Sequence, residues 1–157
     1  MHTARFAIVL ALIPFATGCA AGYSRDLPKN ALIARAWAGR EPPTTSRALT
    51  AVAFASAQVG KPYCWGGTGQ HCFDCSGLVQ TAWHNAGEKL PRTTGAIAHT
   101  LQEIPADDVR AGDILWWPGH VGIYTGYGWM VDALDHAHGV VRRPAKDPYR
   151  AFRPLGE

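Results

Sequence analysis

Between residues 46 and 101 the apolar positions recur at the spacing of helices, and between 113 and 142 they alternate at the spacing of strands. After Ser46, which can cap a helix, Leu49, Val52, Ala53 and Val59 recur at helical intervals as far as the stop Gly60-Lys61-Pro62, predicting a helix that packs on the core. The following stretch, Tyr63-Cys64-Trp65-Gly66-Gly67-Thr68-Gly69, is too rich in glycine for regular structure. Asp74 then stands where an N-cap belongs, ahead of Leu78, Val79, Ala82 and Trp83 on one face of a second helix that Gly87 ends, so that Cys75 is its first residue. Past the polar Arg92-Thr93-Thr94, a short helical stretch is expected over 96–101. Strands are expected over 113–117, 120–125, 129–134 and 139–142, separated by Pro118-Gly119, Gly126-Tyr127-Gly128 and a histidine-rich turn. Helices followed by a meander of strands predict an α+β fold.

The N-terminal pattern differs. A basic start is followed by the apolar run Phe6 to Ala16, too short to span a bilayer and interrupted by Pro14, and then by the small residues Ala16-Thr17-Gly18 before Cys19. Residues 1–18 are therefore expected to be an export signal, and the small residues before Cys19 resemble a bacterial lipobox, in which that cysteine is acylated and anchors the chain to a membrane; the alternative is that Gly18-Cys19-Ala20 is an ordinary cleavage site and the protein is secreted. Residues 19–45, with Pro28, Pro42-Pro43 and no sustained period, are expected to be a tether, leaving 46–157 as a single domain. An excess of 15 Lys and Arg over 12 Asp and Glu gives a net charge of +3, and losing Arg5 with the signal would leave +2, too small a balance to imply nucleic acid.

Export makes the cysteines candidates for pairing. With Cys19 acylated, Cys64, Cys72 and Cys75 remain. A Cys64–Cys72 bridge would close the glycine loop, and Cys75, at a helix mouth where unpaired N–H groups and the helix dipole favour a thiolate, would be the odd, nucleophilic thiol. Two alternatives stay open: a Cys72/Cys75 redox pair, although such pairs normally open the helix with their first cysteine, and a zinc knuckle, for which His71 and Cys72 crowd each other. A thiolate nucleophile needs a base. His120 opens the strand His120-Val121-Gly122-Ile123-Tyr124, where alternation puts it on one face with the small Gly122, and Asp132 on the next strand shares that face, opposite or diagonal depending on where the turn centres. His71, His84 and His99 have no such partners, and Asp135, His136 and His138 read as a hydrated turn.

The order Tyr63-Cys64-Trp65-Gly66-Gly67, Phe73-Asp74-Cys75-Ser76-Gly77-Leu78-Val79, Leu90-Pro91-Arg92-Thr93-Thr94, Gly112-Asp113-Ile114-Leu115, Gly119-His120-Val121-Gly122-Ile123-Tyr124 and Met130-Val131-Asp132-Ala133 resembles the NlpC/P60 superfamily of bacterial cell-wall cysteine peptidases, from about residue 46 onward. The resemblance implies a papain-like α+β fold with helices packed on a central antiparallel sheet, Cys75 as nucleophile, His120 as base, Asp132 as the third polar residue and Tyr63 beside the oxyanion. It implies hydrolysis of peptidoglycan stem peptides, often at the bond between γ-linked D-glutamate and a diamino acid, with neither metal nor cofactor. A silent relative that only binds wall peptides is the other alternative, but such proteins usually lose the cysteine or histidine. Proximity to the wall would come from an acyl anchor at Cys19 or from the Arg142-Arg143 edge.

Overall fold

A computed structural model describes residues 44–154 of the protein. The expected export signal, Cys19 and nearly all of the tether lie outside the described residues. Helix α1, Ser46–Ala57, is capped by Thr45, whose side chain accepts from the Ala48 N–H, one residue earlier than the expected cap at Ser46. Thr44 donates its hydroxyl to the Ala111 carbonyl at 2.7 Å, so both threonines pack with the domain rather than with a tether. Of the face expected for α1, Val52 packs partly buried against the core, but the fully buried positions are others. Ala48, Ala51 and Ala55 are buried, whereas Leu49 and Val59 are half exposed. The reason is close approach: α1 packs on the next helix and on Gly112, where an added Cβ would collide with Ala48, so only small side chains fit the seam.

The strands β1, Thr68–Gly69, and β2, Cys72–Phe73, form a two-stranded ribbon that leads into helix α2, Cys75–Asn85. Leu78, Val79, Ala82 and Trp83 of α2 are fully buried, as the helical pattern predicted. A short helix α3, Thr94–Thr100, is capped by the Thr93 side chain. Then come β3, Gln102–Ile104, a 3-10 turn at Ala106–Asp108, β4, Ile114–Trp117, β5, His120–Gly126, β6, Trp129–Ala133, β7, Val140–Pro144, and β8, Arg150–Arg153.

Among the described residues the main sheet has six strands in the order β3-β8-β4-β5-β6-β7, all neighbours antiparallel. The expected meander is β4 to β7. The chain then returns so that β8 pairs with both β4 and β3, an addition the sequence pattern did not reveal because both strands are short and carry the charged residues Glu103, Arg150 and Arg153. Alternation splits the apolar positions between two cores. Ile114, Val121, Ile123, Val131 and Phe152 meet the helices, and Leu115, Tyr124, Met130 and Ala151 fill the other face. The fold is α+β with helices against an antiparallel sheet.

Candidate active site

Cys75 is placed by its helix start. The Asp74 side chain accepts from the Gly77 N–H at 2.6 Å and from the Gly66 N–H at 2.8 Å, tying the glycine loop to the helix mouth. The Asp74 N–H donates to the Gly67 carbonyl, which lies so close over the first turn that a Cβ at residue 77 would overlap it. Cys64 and Cys72 are joined in a disulfide with Cα atoms 5.6 Å apart, and Cys75 is a free, buried thiol. The alternatives that need Cys72, as a redox partner of Cys75 or as a zinc ligand, thus meet a cysteine already bonded to Cys64.

His120 approaches the thiol from the start of β5, and the Gly119 carbonyl oxygen is 4.0 Å from Cys75 Sγ. The β5–β6 register, Ile123 opposite Val131 and Tyr124 opposite Met130, centres the turn on Tyr127, with a bulge on β5 between Tyr124 and Gly126. Continued along the strands, it sets Gly122 opposite Asp132 and makes His120 the diagonal neighbour, the second of the two expected arrangements. An added Cβ at Gly122 would meet the flexible end of Met130 and lie 3.0 Å from Asp132 Cβ, so the glycine leaves space beside this pair. His120 Nε2 is 2.6 Å from Asp132 Oδ2. With Nε2 committed to the carboxylate, Nδ1 is the ring nitrogen left for Cys75. Burial alone would push the His120 pKa down, but the hydrogen bonds to Asp132 and Cys75 and the charges of both raise it to about 9. Trp117, directly across the β4–β5 pair from His120, lies 6.1 Å from the imidazole, ring centre to ring centre.

Tyr63 forms a parallel bridge with Phe73, which sets it alongside the segment entering α2. Burial, then the charges of Cys75 and Asp74, push its hydroxyl pKa up against the opposing charge of Arg92, so the group remains a hydrogen-bond donor at neutral pH.

Three features escaped sequence reasoning. Arg92, in the loop segment Leu90-Pro91-Arg92-Thr93-Thr94, pairs with both Asp74 oxygens, at 3.0 and 2.5 Å, and with Ser76 Oγ at 2.9 Å. Burial opposes ionisation of Asp74, but the Arg92 and backbone hydrogen bonds hold its carboxyl below the usual range. Arg143 is not part of an open basic edge. Its Nε donates to Asp132 Oδ1 at 3.0 Å and its Nη2 to Oδ2 at 2.5 Å, while Arg142 stacks over Trp129 at 4.2 Å. The expected hydrated turn holds for Asp135 and His138, an exposed pair at 2.8 Å, but His136 packs edge-on against Tyr63 with ring centroids 4.8 Å apart. Only the strand register, not the sequence, would have pointed to Arg143. His71, His84 and His99 are exposed.

A family model described as the NlpC/P60 family matches residues 60–154, which span every group placed above. The chain belongs to the NlpC/P60 family. It is 40% identical over 101 residues to a probable endopeptidase of Corynebacterium glutamicum, covering 62% of this chain and 48% of that protein. To a probable endopeptidase of Mycobacterium tuberculosis it is 46% identical over 85 residues, 52% of this chain and 22% of that protein. The solved structure of the peptidoglycan hydrolase RipB of Mycobacterium tuberculosis superposes with a TM-score of 0.60 at 30% identity, covering 71% of this chain and 68% of that one. The chain thus spans about half or less of the curated relatives it matches.

Proposed function

We propose that this NlpC/P60 protein is a peptidoglycan endopeptidase of the cysteine type. The observation that carries the reading is a free thiol at a helix mouth facing an imidazole whose other nitrogen is 2.6 Å from a buried carboxylate. In this reading the Cys75 thiolate attacks a peptide carbonyl carbon, and the oxyanion is held by the Cys75 N–H and the Tyr63 hydroxyl. The raised His120 pKa keeps the ring protonated at neutral pH, ready to give Nδ1–H to the leaving amine as the carbon–nitrogen bond breaks. His120 then takes a proton from water, the hydroxide attacks the thioester, and Cys75 leaves as thiolate. Asp132 fixes the ring orientation throughout. The Cys64–Cys72 bond supports this over thiol–disulfide exchange, since Cys75 has no CxxC partner. Intact Cys75 and His120 support it over a silent binding scaffold.

The finer substrate assignment is the bond between γ-linked D-glutamate and the diamino acid of the stem peptide. Mass spectrometry of purified muropeptides after digestion tests it: products ending at the γ-glutamyl carboxyl are expected, and products cut elsewhere would reject the bond. Export and acylation at Cys19 complete the proposal. The native protein should then partition into detergent and Cys19→Ser should release it, whereas an unacylated N-terminus beyond Cys19 would reject the anchor.

A further inference from the structure

Asp132 is completely buried, and a carboxylate removed from water keeps its charge only when that charge is met by others. His120 meets it from β5. From β7 it is met by Arg143, whose side chain is only 18% exposed. Met130 pairs with Arg143 and Asp132 with Val141, so Arg143 lies one diagonal step from Asp132 on the same face of the sheet. Its guanidinium straddles the carboxylate, Nε at 3.0 Å from Oδ1 and 3.2 Å from Oδ2, and Nη2 at 2.5 Å from the same Oδ2 that holds His120. A planar fork on both oxygens fixes the rotation of the carboxylate, which a single bond from the imidazole would leave free.

We propose that Arg143 is a positioning residue of this active site, clamping Asp132 so that one oxygen stays on His120 Nε2 and balancing the negative charge that flanks the imidazole. The inference rests on the roles proposed above for Cys75, His120 and Asp132. The charges that face one another are Cys75 at the mouth of α2, His120 on β5, Asp132 on β6 and Arg143 on β7. As thiolate, imidazolium, carboxylate and guanidinium they sum to zero. Without Arg143 one negative charge is uncompensated, and protonation of Asp132 becomes the relief. A protonated Asp132 would donate to Nε2, which places the proton of a neutral ring on Nδ1, so that the ring no longer offers Cys75 a base. Burial opposes the ionised carboxyl, but the His120 and Arg143 hydrogen bonds and charges keep the Asp132 pKa below the usual range.

The test is steady-state kinetics on a stem-peptide substrate as a function of pH for wild type, Arg143→Met, Arg143→Lys, Asp132→Asn and the double variant Asp132→Asn/Arg143→Met, with circular dichroism to check folding. Arg143→Met is expected to lower kcat on the order of tenfold with KM held within about twofold, and to move the acid limb of kcat to higher pH. Arg143→Lys keeps the charge without the fork, so it should return the acid limb while recovering only part of kcat. In the Asp132→Asn background, removing Arg143 should cost less than about twofold more, because Arg143 acts through Asp132. A folded Arg143→Met enzyme with wild-type kcat and acid limb, or an equal loss in both backgrounds, overturns the inference. If the Met variant does not fold, a Lys variant with full kcat overturns it. Cys75→Ala separates the two levels: retained activity there rejects the thiol mechanism itself, whereas an inactive Cys75→Ala beside unaffected Arg143 variants rejects only the role of Arg143.

Discussion

His120 is held at Nε2 by Asp132 and faces Cys75 with Nδ1, and the hydrogen bonds to these two groups raise its pKa despite burial that would lower it. Turnover that needs the imidazolium to protonate the leaving amine should therefore fall as pH rises through about 9. Replacing Asp132 by Asn removes one of the two charges that raise the pKa. The alkaline limb should move to lower pH and kcat should drop by more than KM rises, whereas Asp135→Ala, at an exposed turn, should leave both within about twofold. A pH–rate profile of Asp132→Asn that superposes on wild type would contradict the pairing. Cys75, His120 and Asp132 were legible because each follows from a local rule: an N-cap fixes the helix start, and strand alternation fixes a shared face. Arg143 and Arg92 were not, because what they touch depends on register and on loop closure between residues 11 and 18 positions apart.

At the scale of elements, the mouth of α2 is the part on which the chemistry most depends. Gly77 has no room for a side chain beneath the Gly67 carbonyl, so Gly77→Ala should push the glycine loop off the helix. A loss of at least about 2 kcal/mol is expected, with lower kcat, by denaturant titration and kinetics. The disulfide closes the same loop over a separation of 8 residues. Cys64→Ser with Cys72→Ser should cost about 2–3 kcal/mol in the chain-entropy account while measurable turnover remains, since neither sulfur takes part in the reaction. Complete loss of turnover in a folded double variant would assign those cysteines a further role. The pattern identified α1 and α2 as helices, but it chose the larger side chains of α1 as the buried face. The tight seam against α2 and Gly112 reverses that choice in favour of alanine, and a helical period cannot reveal how close a neighbour will come. Likewise β3 and β8 have too few residues, with charges among them, to show an alternation.

Across the whole molecule, the site groups tie stability to pH in opposite directions. The folded pKa of His120 lies above its ordinary 6.5, so its contribution is full below that value and is lost as pH rises through about 9. Asp74 and Asp132 have lowered folded pKa values, so theirs is present above the ordinary 3.8 and lost as pH falls through the depressed values. The combined contribution of these three groups is therefore highest between those two ordinary values, with the buried Asp113, whose pKa burial raises, opposing it on the acid side, and in denaturant titrations Asp132→Asn should flatten the alkaline decline. The α+β class, the helix order and the central meander were visible in the sequence, because each rests on local periodicity. The return of β8 to pair with β4 was not, because a long-range pairing leaves no local period. The central claim, that Cys75 is the nucleophile of a thiol peptidase acting on cell-wall peptides, is tested most directly by the release of stem-peptide fragments from purified peptidoglycan, followed by mass spectrometry. Wild type should release them, with or without EDTA, and Cys75→Ala should release none; fragments released at the wild-type rate by Cys75→Ala, or activity abolished by the chelator, would contradict the account.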